Sequence, residues 1–373
     1  MEKTERLLSL DVFRGLTIAG MILVNNPGSG QSVYPALRHA KWHGVTPTDL
    51  IFPFFLFIVG ITTTISLSKR KERGDDQKKL IMQIIKRAAI LFLLGLIMAS
   101  FPFYNYDFSH IRIPGVLQRI GVVYLISSIL FLKTGMKTQA IIAGSLLFIY
   151  WALMTLVPVP GIGYANLEPA TNLGAFIDNM LLGGHLWGAS KVWDPEGILS
   201  TIPAISTCLL GILTGYWLKS QADKTTKAVW MFIWGNCGLV LGAIWDMWFP
   251  INKSIWTSSY VLYSAGMALE FLAMCYYLID VKGYNWWTKP FVVYGTNAIT
   301  VYFLSGIVAK LLYTIKFNDS FGKLITLKAA IYNSMFAWWL QPINASLLWA
   351  LSYCLFWLAM MWILYSKRIF IKI

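Results

Sequence analysis

The chain has 373 residues, 57% of them hydrophobic and 13% charged, with 31 Lys and Arg against 17 Asp and Glu for a formal net charge of +14. This apolar content exceeds the roughly 45–50% of soluble domains. Apolar runs long enough to cross ~30 Å of hydrocarbon recur from end to end, which excludes a soluble enzyme and leaves no room for a sizeable soluble domain. The basic excess does not indicate nucleic acid, because it sits in short loops between apolar runs and no nucleic-acid motif accompanies it.

Hydropathy, with Gly, Pro and charge clusters as punctuation, predicts ten spans near 10–27, 48–68, 84–103, 114–132, 140–158, 197–218, 228–249, 257–280, 290–313 and 346–366. The first, in MEKTERLLSLDVFRGLTIAGMILVNNPGSG, imitates a signal peptide. Asp11 and Arg14 interrupt its centre and no small-x-small cleavage site follows, so it is read as a retained span. If the N-terminus is cytoplasmic, that side collects 19 Lys and Arg, including Lys3, Arg6, the KRKERGDDQKK loop and the SKRIFIKI tail, against 8 on the other side. The expected fold is therefore all-α: one polytopic integral membrane bundle over residues 1–373, about ten transmembrane helices, both termini cytoplasmic.

Ionisable residues inside spans are costly and tend to mark sites or pathways. In chain order they are Asp11 and Arg14, Asp49 opening the second span, Arg119, Asp246, Glu270, Asp280 and Lys310. Asp11 and Arg14 are three apart and can pair along one helix face. Arg119 and its neighbour Gln118 have no adjacent partner, so the guanidinium requires either an acid on another helix or a phosphorylated ligand. Asp280 and Lys310, near span ends, are read as snorkelling.

Between the first two spans, LRHAKWHGVTPTDL sets His39 and His43 at the i, i+4 spacing of a helical metal clamp. Gly44 and Pro47 break that helix and no further His or Cys completes a site, so no metal is expected. Two readings stay open: an interfacial histidine pair, or a base or nucleophile oriented by Asp49, which serves equally well as a helix-cap carboxylate. The outward segment 159–196, with NLEPATN, GGHLWG and KVWDPEG, suits either a sugar site with aromatic stacking or an interfacial aromatic belt. The four cysteines lie in apolar runs at scattered spacing, which fits neither a disulfide framework nor a zinc cluster. No P-loop, dinucleotide fingerprint or GxSxG elbow is present.

LDVFRGLTIAGMILVNN followed by LRHAKWHGVTPTDLIFPFFLFIVG resembles the heparan-alpha-glucosaminide N-acetyltransferase family of the transmembrane acyltransferase superfamily. IRIPGVLQRIGVVY (111–124), DPEGILSTIPAISTCLLGILTG (194–215), INKSIWTSSYV (251–261) and PFVVYGTNAITVYF (290–303) extend the resemblance in family order. The large extracytoplasmic domain and leading span of the animal lysosomal enzyme have no counterpart here. The chain therefore resembles compact bacterial members, which implies the cytoplasmic membrane of a bacterium.

The resemblance implies transfer of an acetyl group from cytoplasmic acetyl-CoA to the amine of a glucosamine-type sugar, free or terminating a saccharide, on the far side of the bilayer. The family's active histidine falls on His39 and its matching asparagine on Asn25, while His43 stands where the animal pattern has Asn. The implied catalytic set is His39 as base or acetyl carrier, Asn25 as oxyanion donor and Asp49 as orienter of the imidazole. Arg14, Gln118 and Arg119 are assigned to CoA phosphates and pantetheine amides, and Glu196 with His43 to the acceptor. A homodimer is compatible with the aromatic-rich spans. The competing functions are an amino-sugar permease, which would need no acetyl-CoA, and a glycan O-acetyltransferase, which would need no free amine.

Overall fold

Long apolar helices alternate in direction through most of the chain, joined by tight turns at one end and by long loops at the other. The computed structural model describes residues 7–104, 107–319 and 322–371; Lys3, Arg6 and Lys372 of the predicted cytoplasmic basic set lie outside the described residues. The helices are α1 (Leu8–Asn25), α2 (Pro47–Glu72), α3 (Gln77–Ser100), α4 (Val116–Lys133), α5 (Met136–Leu156), α6 (Leu173–Leu182) and α7 (Thr201–Lys219). They continue with α8 (Lys224–Asp246), α9 (Ser258–Tyr276), α10 (Lys289–Thr296), α11 (Ala298–Thr314), α12 (Leu327–Tyr332) and α13 (Pro342–Ser366). Among the described residues nine apolar stretches are long enough to span a membrane, and ten if α10 and α11, bent by 81° at the break between them, count as one span. The chain is a polytopic helical membrane bundle, as the hydropathy predicts.

The departures are local. The predicted ninth span, 290–313, is not one rod but the bent pair, with Asn297 at the break. A two-stranded hairpin, β1 (Lys316–Asn318) with β2 (Leu324–Thr326), and the short helices α6 and α12 fold within loops that hydropathy leaves blank. Lys310 does not snorkel: its ammonium donates to the carbonyls of Met98, Ala99 and Phe101 at 2.5, 2.9 and 3.0 Å. Those carbonyls close the C-terminus of α3, where a cation meets the negative end of the helix dipole and satisfies acceptors that lipid cannot.

The crossing order gives two chemically different ends. One, the basic end, carries the 69–79 loop, the 220–223 turn and the segment after α13; the other, the histidine end, carries 26–46, the 157–200 segment, 247–257 and the hairpin. The centre is built on α2, whose spanning window is the most deeply buried. α2 and α7 approach backbone to backbone: a Cβ on Gly60 would lie 2.0 Å from Cys208 O, and one on Gly211 would lie 2.1 Å from Phe57 O. Small residues four apart on both helices, Gly60 and Thr64 against Gly211 and Gly215, make that approach possible where lipid supplies no hydrophobic drive. Gly211→Val is therefore expected to cost at least about 3 kcal/mol through forced helix separation, read as loss of a monodisperse species on size exclusion in detergent.

Candidate active site

Thr46-Pro47-Thr48-Asp49 starts α2 with a capping box and proline in the first turn. Asp49 Oδ2 accepts from Thr46 N and Thr46 Oγ1, both at 3.0 Å, and from Ala40 N at 3.0 Å. Its other oxygen, Oδ1, lies 2.6 Å from His39 Nδ1. The two sequence readings of Asp49 are thus both realised, since one carboxylate oxygen caps the helix while the other holds the imidazole. Asp49 is 1% exposed, whereas the His39 side chain is 50% exposed. An ionised acceptor at Nδ1 fixes the proton there and leaves Nε2 as the nitrogen with the free lone pair.

Several non-local contacts set this pair in place. Tyr260 on α9 donates to Asp49 O at 2.5 Å, and Thr46 Oγ1 donates to Arg38 O at 2.6 Å. Gly44, at φ 102°, bonds through its N–H to Ile251 O at 2.7 Å. His43 Nδ1 lies 3.3 Å from Asn252 Nδ2, and Trp42 Nε1 donates to Leu167 O at 2.9 Å. Residues 38–46 are irregular, so His39 and His43 share no helix face, and the i, i+4 metal geometry does not form. Asn252 and Tyr260 were not singled out by sequence reasoning. Asn252 lies in the INKSIWTSSYV block, and only the fold shows what it holds.

Two cavities flank the same four helices, α1, α3, α4 and α11. The inner one, of about 270 Å³, opens near the basic end and is lined by Arg14, Thr62, Arg87, Tyr124, Thr296 and Ile371 among others. Arg14 reaches Asp11 at 2.5 Å, the pairing expected from their spacing. Arg87 stacks over Tyr124, 4.9 Å from the ring centre. The outer cavity, of about 500 Å³, is lined by Asn25, Asn26, Arg112, Gln118, Trp187 and Lys310 among others. On α3 the linings end at Leu91 and resume at Gly95, a rise of only about 6 Å.

The predicted residues divide accordingly. Arg14 lies in the inner cavity, Asn25 and Gln118 in the outer one, and Arg119 in neither lining. Arg119 is 2% exposed, sits over the Trp256 ring at 5.2 Å, and donates to Gly197 O at 2.9 Å and Ser200 Oγ at 2.5 Å. It clamps the start of α7. Glu196 is nearly buried and accepts from Arg112 Nη2 at 2.6 Å, while Asp194 takes the same guanidinium through two bonds of 2.6 and 2.8 Å. These two acids hold Arg112 strongly cationic despite its burial. His39 and His43 line neither cavity; they occupy the loop of the same end.

Asp178 on α6 anchors the 194–198 turn by accepting from Ile198 N at 2.8 Å. Burial pushes its carboxyl up to about 6, above the ordinary carboxylate range. A carboxyl raised on folding contributes stability that is full below its unfolded value and lost as pH rises through the folded one. Melting temperature is thus expected to fall between about pH 4 and pH 6 from this group, and Asp178→Asn to flatten that part of the curve.

The site is a buried acid holding a half-exposed histidine in the loop at one end of a helical membrane bundle, with one cavity lined toward that end and a second toward the other. This defines a polytopic helical membrane protein with a buried acid–histidine pair at one end. The family model described as heparan-alpha-glucosaminide N-acetyltransferase, catalytic, matches residues 6–242, and the chain belongs to that family. It is similar to the heparan-alpha-glucosaminide N-acetyltransferase of Mus musculus, 33% identical over 350 residues, covering 80% of this chain and 53% of the mouse protein. It is also similar to that of Homo sapiens, 30% identical over 424 aligned residues, covering 99% of this chain and 60% of the human protein. The chain thus spans between half and two thirds of the length of these relatives.

Proposed function

We propose that this protein is a membrane acetyltransferase that takes the acetyl group of acetyl-CoA at the basic end and delivers it to the amine of a glucosamine-type sugar at the histidine end. The basic end is read as cytoplasmic, in the inner membrane of a bacterium. The observation that carries the reading is the 2.6 Å His39–Asp49 pair, a half-exposed imidazole whose Nδ1 is held by a buried carboxylate so that Nε2 keeps its lone pair. Membership of the N-acetyltransferase family supplies the reaction class. The inner cavity, with Arg14 and Arg87, suits the phosphates of CoA, and the pantetheine arm would have to cross only the short stretch of α3 that separates the two linings.

A protonated amine has no lone pair and cannot attack a thioester; the neutral amine attacks, and His39 Nε2 takes the proton that its nitrogen sheds as the C–N bond forms. The tetrahedral intermediate then expels the CoA thiolate, which takes up a proton. Asn25, on the outer cavity wall, is the donor assigned to the oxyanion. In the alternative order His39 Nε2 first accepts the acetyl group from the thioester and passes it to the amine in a second step. The acceptor enters the outer cavity, where Trp187 offers a stacking face and Asn26 and Gln118 offer amides. Glu196 acts on it through Arg112 rather than directly.

The test is transfer of radiolabelled acetyl from acetyl-CoA to glucosamine by the purified protein. Labelled N-acetylglucosamine is the expected product. Accumulation of unmodified glucosamine in proteoliposomes without acetyl-CoA would instead identify a permease, and acetylation of a sugar lacking the free amine would identify O-acetyl transfer.

A further inference from the structure

The span that lines both cavities is also the broken one, and the break is tied to a segment from elsewhere in the chain. Asn297, 1% exposed between α10 and α11, donates through Nδ2 to Ile369 O at 3.1 Å and accepts from Ile371 N at 2.9 Å. The segment reaches Asn297 by reversing after α13. Ile369 N bonds back to Leu364 O at 2.9 Å, and Arg368 N to Tyr365 O at 3.0 Å. Arg368 adopts φ 56°, the left-handed conformation of an ordinary Schellman helix stop, at a position more often filled by glycine. Ile371 then lines the inner cavity beside Arg14, Arg87 and Thr296. The stop turns the chain so that a short extended segment reaches the cavity wall.

We propose that Asn297 is a positioning residue that holds Ile369–Ile371 as a movable wall of the inner cavity and thereby retains the nucleotide thioester donor. The inference rests on the acetyl-CoA reading for what the cavity holds, while the wall itself rests on geometry alone. Two hydrogen bonds to Asn297 fasten the segment beyond the end of α13, so its release would break those two bonds and leave the helices' own bonds intact. Next to it stand two guanidinium groups suited to phosphate, Arg14 and Arg87. Closing the wall over a bound donor lowers its escape without touching the reacting atoms, which lie toward the other end.

The experiment places a thiol on the wall with Ile371→Cys in a Cys237→Ser background, Cys237 being the exposed native cysteine, and follows its reaction with a polar maleimide. Coenzyme A is expected to slow labelling by about fivefold or more, and Asn297→Ala to speed it about tenfold in the absence of ligand. In the same assay set, Asn297→Ala on the natural Ile371 is expected to raise the KM for acetyl-CoA about tenfold with kcat changed less than about threefold. Arg368→Pro, which cannot adopt φ 56°, is expected to reproduce both effects without altering the buried asparagine. Labelling and KM unmoved by both substitutions in folded protein would overturn the wall. Protection by coenzyme A in a protein that acetylates no amino sugar would support the wall and defeat the acetyltransferase reading.

Discussion

Replacing His39 by alanine is expected to reduce acetyl transfer by about 10³-fold or more, because it removes the group that takes the amine proton or carries the acetyl. The effect should be confined to chemistry. His39 is half exposed and its recorded side-chain bond is to Asp49, whose other oxygen keeps the α2 cap through Thr46 and Ala40. The melting temperature and oligomeric profile of His39→Ala should therefore match the parent. The KM for acetyl-CoA should change little, since the inner cavity lies toward the opposite end of the bundle. Rescue by added imidazole would support the proton-transfer role. Acetyl label retained on parent protein after denaturation, and absent from the variant, would support the acetyl-histidine route.

Asp49→Asn carries the second large effect, about 10²–10⁴-fold in kcat, and its cause differs from that of His39→Ala. An asparagine can keep its carbonyl oxygen where Oδ2 now accepts the Thr46 and Ala40 N–H groups, which saves the helix cap. Its amide NH₂ then faces His39 Nδ1 and donates to it. The imidazole proton is forced onto Nε2, so that nitrogen is neither base nor nucleophile. Asp49→Ala removes the cap as well and should destabilise by about 1–3 kcal/mol. Kinetics and melting curves of the pair separate orientation from folding: asparagine inactive and stable, alanine inactive and unstable. An active Asp49→Asn would mean that His39 does not work through Nε2.

Much of this organisation is legible in the sequence because the bilayer imposes a simple rule. Every backbone polar group must be satisfied within a helix or a closed barrel, so spans are long, apolar and easily read. The His39–Asp49 juxtaposition was also within reach, since Thr46-Pro47-Thr48-Asp49 announces a helix start and places a carboxylate within a short loop of the histidine. The Asn297 break was not legible. YGTNAITVYF reads as one apolar run, and the groups that pair with Asn297 at the bend belong to Ile369 and Ile371, more than seventy residues further along the chain. Arg119 misleads for a related reason: its partners are the Gly197 carbonyl and Ser200, brought alongside only by the packing of α4 and α7. Both cavities are likewise lined by helices from distant parts of the chain, α1, α3, α4 and α11 in each with α2 and α10 added in the inner one, and no local pattern encodes a space.

Donor and acceptor, on the proposed mechanism, use opposite ends of the protein. The most direct test uses sealed right-side-out membrane vesicles containing the protein, with acetyl-CoA, which does not cross the bilayer, loaded inside or added outside, and glucosamine supplied outside. N-acetylglucosamine forming outside only with internal acetyl-CoA, and not forming in His39→Ala vesicles, is the predicted result. Equal product with acetyl-CoA outside, or product that survives loss of His39, would contradict transfer from the basic end to the His39–Asp49 pair.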